Sequence, residues 1–127
     1  MNDIDEPQAL DNLAVIRGSL TNDPRTRELP AGGTVVQFDV STRIDAAGRS
    51  TRGSVPVAWN DPTPTQRELL ASGVEVVVLG TVRRRFFRVG GATQSRTEVV
   101  ADMVVPTRRR AQVAAALRAT ADRLLAG

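Results

Sequence analysis

Val74-Glu-Val-Val-Val-Leu79, joined through Gly80 to Thr81-Val-Arg-Arg-Arg-Phe-Phe-Arg88, is the strongest strand signal in the chain. It is a dense β-branched run that continues into a charged and aromatic extension. Gly90-Gly91 accepts the positive φ values that a hairpin turn demands, so Gln94 to Val105 reads as the returning strand. By strand alternation Arg83, Arg85 and Phe87 share one face of this hairpin, while Arg84 and Phe86 share the other.

Three more strands precede it. Leu13 to Leu20 is strand-like and ends at the turn signal Thr21-Asn-Asp-Pro24. After the break at Leu29-Pro-Ala-Gly-Gly33, Thr34-Val-Val-Gln-Phe-Asp-Val40 has the β-branched and aromatic content of a second strand, with Phe38 assigned to the core. Asp45 to Gly53 is polar and punctuated by glycine, which predicts an exposed loop carrying Arg49 and Arg52. Ser54-Val-Pro-Val-Ala-Trp59 then places Val55, Val57 and Trp59 on one face and Pro56 and Ala58 on the other. Pro56 has no amide hydrogen, so this third strand is expected at an edge or to carry a bulge.

Helical signals occur twice. Asp61-Pro-Thr-Pro-Thr65 supplies start residues and Gly73 a stop, predicting a helix of about two turns from Gln66 to Ser72. Thr107 to Ala126 reads as a C-terminal amphipathic helix with Val113, Leu117, Ala121 and Leu124 on one stripe, opposite Arg110, Gln112 and Arg118. Arg108, Arg109 and Arg110 oppose the dipole at its start, which predicts fraying of the first turn unless an anion offsets them. Three segments follow: a flexible acidic leader over 1–11, a strand-rich domain over 12–106, and the C-terminal helix over 107–127.

Composition narrows the chemistry. All 17 basic residues are arginine, against 14 acids, and there is no His, Cys, Tyr or Lys in the 127 residues. Imidazole, thiolate, amine and phenol are thereby missing, and with them the usual nucleophiles, bases and soft metal ligands. No ordinary zinc site, Ser-His-Asp triad or Walker A loop can be assembled, so a non-catalytic protein without metal or cofactor is expected. The start lacks a basic stretch followed by an apolar one, and no apolar run approaches the roughly 18 residues of a membrane span. A cytoplasmic, nucleoid-associated protein is expected. Between Arg83 and Arg110 eight arginines stand against Glu98 and Asp102, a field that attracts phosphate; on charge alone a solvated face explains it equally well.

Five strands with one short helix between the third and fourth describe an all-β OB-fold barrel, here with an added C-terminal helix. Individual residues sharpen this. Gly18-Ser-Leu-Thr21, Asp23-Pro24, Arg27, Pro30, Gly32-Gly33 and Val35 to Val40 form an opening pattern. Val57-Ala-Trp59, Gly73 to Gly80 and Thr97-Glu-Val-Val-Ala101 form a later one. Together they resemble the bacterial single-stranded DNA-binding protein family across Asn12 to Val105, as a tail-less paralogue. The family's flexible tail with an acidic, apolar tip is replaced by a basic helix, so recruitment of other enzymes through that tail is not carried over.

The resemblance implies single-stranded DNA as partner, bound with little sequence preference in replication, repair or recombination, by a homo-oligomer. It implies a tetramer, and the added helix makes a dimer the alternative. It places Trp59 at a stacking position, with burial as the other reading, and Phe87 where the long hairpin offers a ring, with packing between subunits as the other reading. Around Ala46 and Gly53, where family members carry aromatics, this chain has none. Phosphate contacts fall to Arg83, Arg85 and Arg88 of the hairpin, to Arg43, Arg49 and Arg52 of the preceding loop, and to Arg17 and Arg96. Phe86 is assigned to packing, a contact between subunits included, rather than to stacking. Two other functions compete: an OB-fold assembly adaptor with weak or no DNA affinity, favoured by the depleted aromatics, and an RNA-binding OB-fold, since stacking ignores the 2′-hydroxyl.

Overall fold

The computed structural model describes residues 10–126. The flexible leader expected over 1–11 therefore lies, apart from residues 10 and 11, outside the described residues. At that end the Leu10 amide donates to the Arg123 carbonyl (3.1 Å), and the Asn12 side chain exchanges two hydrogen bonds with the backbone of Val82.

Six strands and two helices follow in the order β1 (Ala14–Leu20), β2 (Arg25–Glu28), β3 (Thr34–Ala46), β4 (Arg49–Asn60), α1 (Pro64–Glu68), β5 (Glu75–Val89), β6 (Ala92–Pro106) and α2 (Arg110–Leu125). The sheet runs β1-β5-β6-β4-β3-β2, and β1 also pairs with β3 through Ser19↔Ser41 and Leu20↔Val40. That second pairing closes β1, β3, β4, β5 and β6 into a five-stranded barrel, the OB-fold expected from the sequence, with β2 as a short outer strand on β3.

Closure needs glycine at two places. β1 serves β5 along most of its length and β3 at its end, and a Cβ on Gly18 would run into the Ser41 carbonyl of β3. At Gly80 a Cβ would meet the Val100 carbonyl. There the β5–β6 register jumps from Leu79↔Met103 to Gly80↔Ala101, so Asp102 is an extra residue that bends β6 around the barrel.

The barrel core comprises Leu20, Val36, Phe38, Val40, Val57, Trp59, Leu70, Val76, Val78, Val99, Ala101 and Val104. Burying a large apolar side chain of this kind contributes roughly 1.5–3 kcal/mol. A smaller cluster on the outside joins Val77 and Leu79 of β5 to Val113 and Ala116 of α2. Helix α1 is stopped and started sharply: Thr63 and Gln66 form a reciprocal capping box, and Pro64 occupies the first turn. Asp23 reaches across to accept the Ser72 amide at 2.8 Å, and the Gly73 amide, at φ 87°, donates to the Leu20 carbonyl.

Several expectations are corrected. Residues 45–53 are not a loop: β3 and β4 remain paired to Ala46↔Arg49, turning only at Ala47-Gly48, because Arg43, Ile44 and Thr51 continue the pleat. Arg25–Glu28, unread in the sequence, forms a strand. The first helix spans five residues rather than two turns. Helix α2 begins at Arg110, three residues late; Arg109 caps it with no side-chain hydrogen bond, as befits three guanidiniums at a positive dipole end. Its buried contact is Ala116, while Leu117 and Leu124 of the expected stripe are exposed. Pro56 does sit where β4 has only β3 beside it, just before β6 pairing begins at Val57.

Candidate nucleic-acid interface

Beyond the barrel the β5–β6 hairpin continues as a two-stranded arm, since β1 releases β5 after Gly80 and β4 pairs β6 only over Val99–Ala101. On its outer face cross-strand partners stand side by side: Arg83 with Glu98, Arg85 with Arg96, and Phe87 with Gln94. Glu98 is only 4% exposed, yet it is a carboxylate. Two guanidiniums explain its position: Arg83 Nη2 donates to Oε2 at 2.6 Å, and Arg85 Nε lies 3.6 Å from Oε1. The second distance is too long for a hydrogen bond, so the shielded Arg85 Nε retains an unused donor among the described residues. The Arg85 guanidinium also stands over the Phe87 ring, 5.7 Å from its centroid.

The same face continues across the sheet. Arg96 Nη2 bonds Asp39 Oδ1 at 3.2 Å, spanning β4 at Pro56. Beyond Asp39, Arg25 and Arg27 project from β2, and the whole forms a groove of about 450 Å³ that also takes in Gln37, Pro56, Arg85, Arg96 and Glu98. Four arginines thus line a channel containing two carboxylates, with Arg83, bonded to Glu98, and the half-buried Phe87 ring, against Arg85, standing beside it.

A second hollow lies further along β3 and β4. Arg17, Arg43 and Arg52 gather there with Ser19, Ser41, Asp45 and Glu75. Arg17 is paired to Glu75 at 2.8 Å, Arg43 to Asp45 at 3.4 Å, and Arg52 Nε donates to the Ser41 hydroxyl at 3.0 Å. Asp39 and Ser41 alternate onto one face of β3, so the two hollows adjoin.

Of the residues singled out in the sequence, Arg85 and Arg96 line the groove with Arg83 and Phe87 beside it, and Arg17, Arg43 and Arg52 meet in the hollow next to it. Arg49 and Arg88 stand near the two hairpin tips, Arg88 donating to the Gly91 carbonyl at 2.9 Å. Trp59 does not join them. It is 5% exposed and belongs to the barrel core, opposite Val36 and Ala101, and borders a small hollow with Thr63, Gln66 and Leu69. The stacking role expected for it is therefore withdrawn: Val55, Val57 and Trp59 all face inward, and an indole continuing a buried valine row enters the core with them. Phe86, assigned to packing with a contact between subunits included, is 64% exposed in the single chain, so it does not pack within it. Arg25 and Arg27 were missed as site residues; the alternation Arg25-Thr26-Arg27 is the signal that places both on one face.

A family model described as the single-strand binding protein family matches residues 11–107. The chain belongs to that family. Comparison with curated proteins returns no match. Membership of the single-strand binding protein family supports single-stranded DNA as a partner of the chain, and the matched residues span the barrel and the β5–β6 arm while α2 lies beyond them. In this member of the single-strand binding protein family the groove is lined by Arg25, Arg27, Arg85 and Arg96, and the Phe87 ring lies against Arg85.

Proposed function

We propose that the chain binds single-stranded DNA with little sequence preference, through arginine–phosphate contacts and stacking on Phe87, and serves replication, repair or recombination as a nucleoid-associated homo-oligomer in the cytoplasm. The observation that carries this reading is the groove in which Arg25, Arg27, Arg85 and Arg96 surround Glu98 and Asp39, with Arg83 bonded to Glu98 and the Phe87 ring against Arg85. Guanidiniums address phosphates and ring faces address bases, and every nucleotide offers both, so such a surface discriminates little. Glu98 and Asp39 pair with guanidiniums of this surface, and an incoming phosphate takes up the solvent-facing donors that they leave unused.

Stacking is worth roughly 1–3 kcal/mol per base, and with Trp59 in the core few bases collect it. Affinity then depends chiefly on counterion release and falls steeply with salt. Exposed Val15, Leu117, Leu124 and Leu125 support assembly of several copies, and mass in solution with and without a long oligonucleotide separates dimer from tetramer. The deciding experiment is a filter-binding titration with oligo-dT at two salt concentrations. Saturable binding that weakens with salt is expected; no saturable binding at low salt leaves the adaptor function instead. Competition by a matched RNA strand as effective as DNA would remove the preference for DNA.

A further inference from the structure

The opposite face of the β5–β6 arm has no place in the groove. It carries Val82, Arg84, Phe86 and Arg88 on β5, across from Val99, Thr97, Ser95 and Thr93 on β6. Within the barrel this face points into the core, and Val99 is its last buried residue. Past Val99 there is no barrel left to cover it. Phe86 nevertheless occupies its centre, 64% exposed, with arginines two positions away on either side. Its cross-strand neighbour is Ser95, too small to screen the ring. The described residues of the arm put no carboxylate on this face, in contrast to the outer one, where Glu98 engages two arginines. A flat ring between cations, bordered by hydroxyls, is complementary to a polyanion bearing flat bases.

We propose that the arm holds single-stranded DNA on both faces: a strand leaving the groove past Arg85 and Phe87 turns around the hairpin, stacks a base on Phe86 and sets a phosphate against Arg84. This rests on the DNA-binding function proposed above and adds a second contact surface to it. The strand is then long enough to reach both faces only above a threshold length, which supplies the test.

Binding is measured for oligo-dT of ~8 nucleotides, within the span of one barrel, and of ~30 nucleotides. Phe86→Ala is expected to leave the short-strand Kd within about twofold and to weaken the long strand roughly tenfold. Phe86→Leu, which keeps apolar bulk without a flat ring, should lose as much, and Phe86→Trp should retain long-strand binding. Arg84→Gln should lower the salt slope for the long strand alone. Equal losses at both lengths, or none at either, overturn the proposal. So does a lower mass in solution for Phe86→Ala, which would make the ring a contact between copies. Failure of the wild-type chain to bind either strand at low salt would instead refute the DNA-binding function, so the two failures are distinct.

Discussion

The two halves of β5 share one alternating backbone and have opposite fates. From Val76 to Leu79 both faces are buried: Val76 and Val78 fill the barrel, and Val77 and Leu79 lie beneath α2. From Val82 to Val89 both faces meet solvent, one with Arg83, Arg85 and Phe87, the other with Arg84, Phe86 and Arg88. A strand's pleat sets which residues travel together. Whether a face becomes core or interface depends on what stands opposite it, and here Gly80 marks the change, where the barrel wall turns away from the arm.

Four measurements probe this contrast. The largest effect is expected from a charge in the buried half: Val78→Asp places an unpaired carboxylate where nothing can solvate it and should cost about 4 kcal/mol or more, seen as loss of the thermal unfolding transition. The corresponding change in the free half, Phe86→Asp, should alter stability by no more than about 0.5 kcal/mol. Equal destabilisation by both would erase the distinction.

Next, Arg83→Ala combined with Arg85→Ala should weaken binding to every sequence alike and flatten the salt dependence by ~0.7 per lost contact in a plot of log affinity against log salt. An unchanged slope would show that these guanidiniums serve Glu98 alone. Glu98→Gln is expected to act in the other direction: two arginines are released from a carboxylate, so DNA binding tightens and its salt slope steepens. Stability falls by ~1–2 kcal/mol, less than a fully buried pair would lose because both arginines reach water. Weaker DNA binding in this variant would mean that the array requires its carboxylate. The smallest effect concerns Trp59: saturating oligo-dT should leave its fluorescence nearly unchanged, with emission already at the short wavelengths of a buried indole. Strong quenching would bring the indole back into the interface.

Much of the barrel was legible because its strands are rich in β-branched residues and its glycines sit at the breaks. The missed strand β2 is four exposed residues long, with no apolar alternation to reveal it, and exists through its pairing with β3. The polar run at 45–53 reads as a loop by composition, yet a ribbon needs no buried face when its partner strand supplies the backbone hydrogen bonds. Trp59 shows two signals in conflict. Its alternation with Val55 and Val57 points inward, whereas the resemblance implied an exposed stacking ring, and its burial in the cluster with Val36, Val57 and Leu70 favours the former.

The linear chain sufficed for the all-β barrel with its long basic hairpin, for the grouping of Arg83, Arg85 and Phe87 on a single face, and for the exclusion of imidazole, thiol and amine chemistry. These follow from residue type and local periodicity. The folded barrel had to supply the rest: Arg25 and Arg27 joining the groove, Glu98 buried between two guanidiniums, Trp59 sealed in and Phe86 left out. Each of those depends on a neighbour many positions away, and burial and ion pairing are properties of that neighbourhood rather than of the residue.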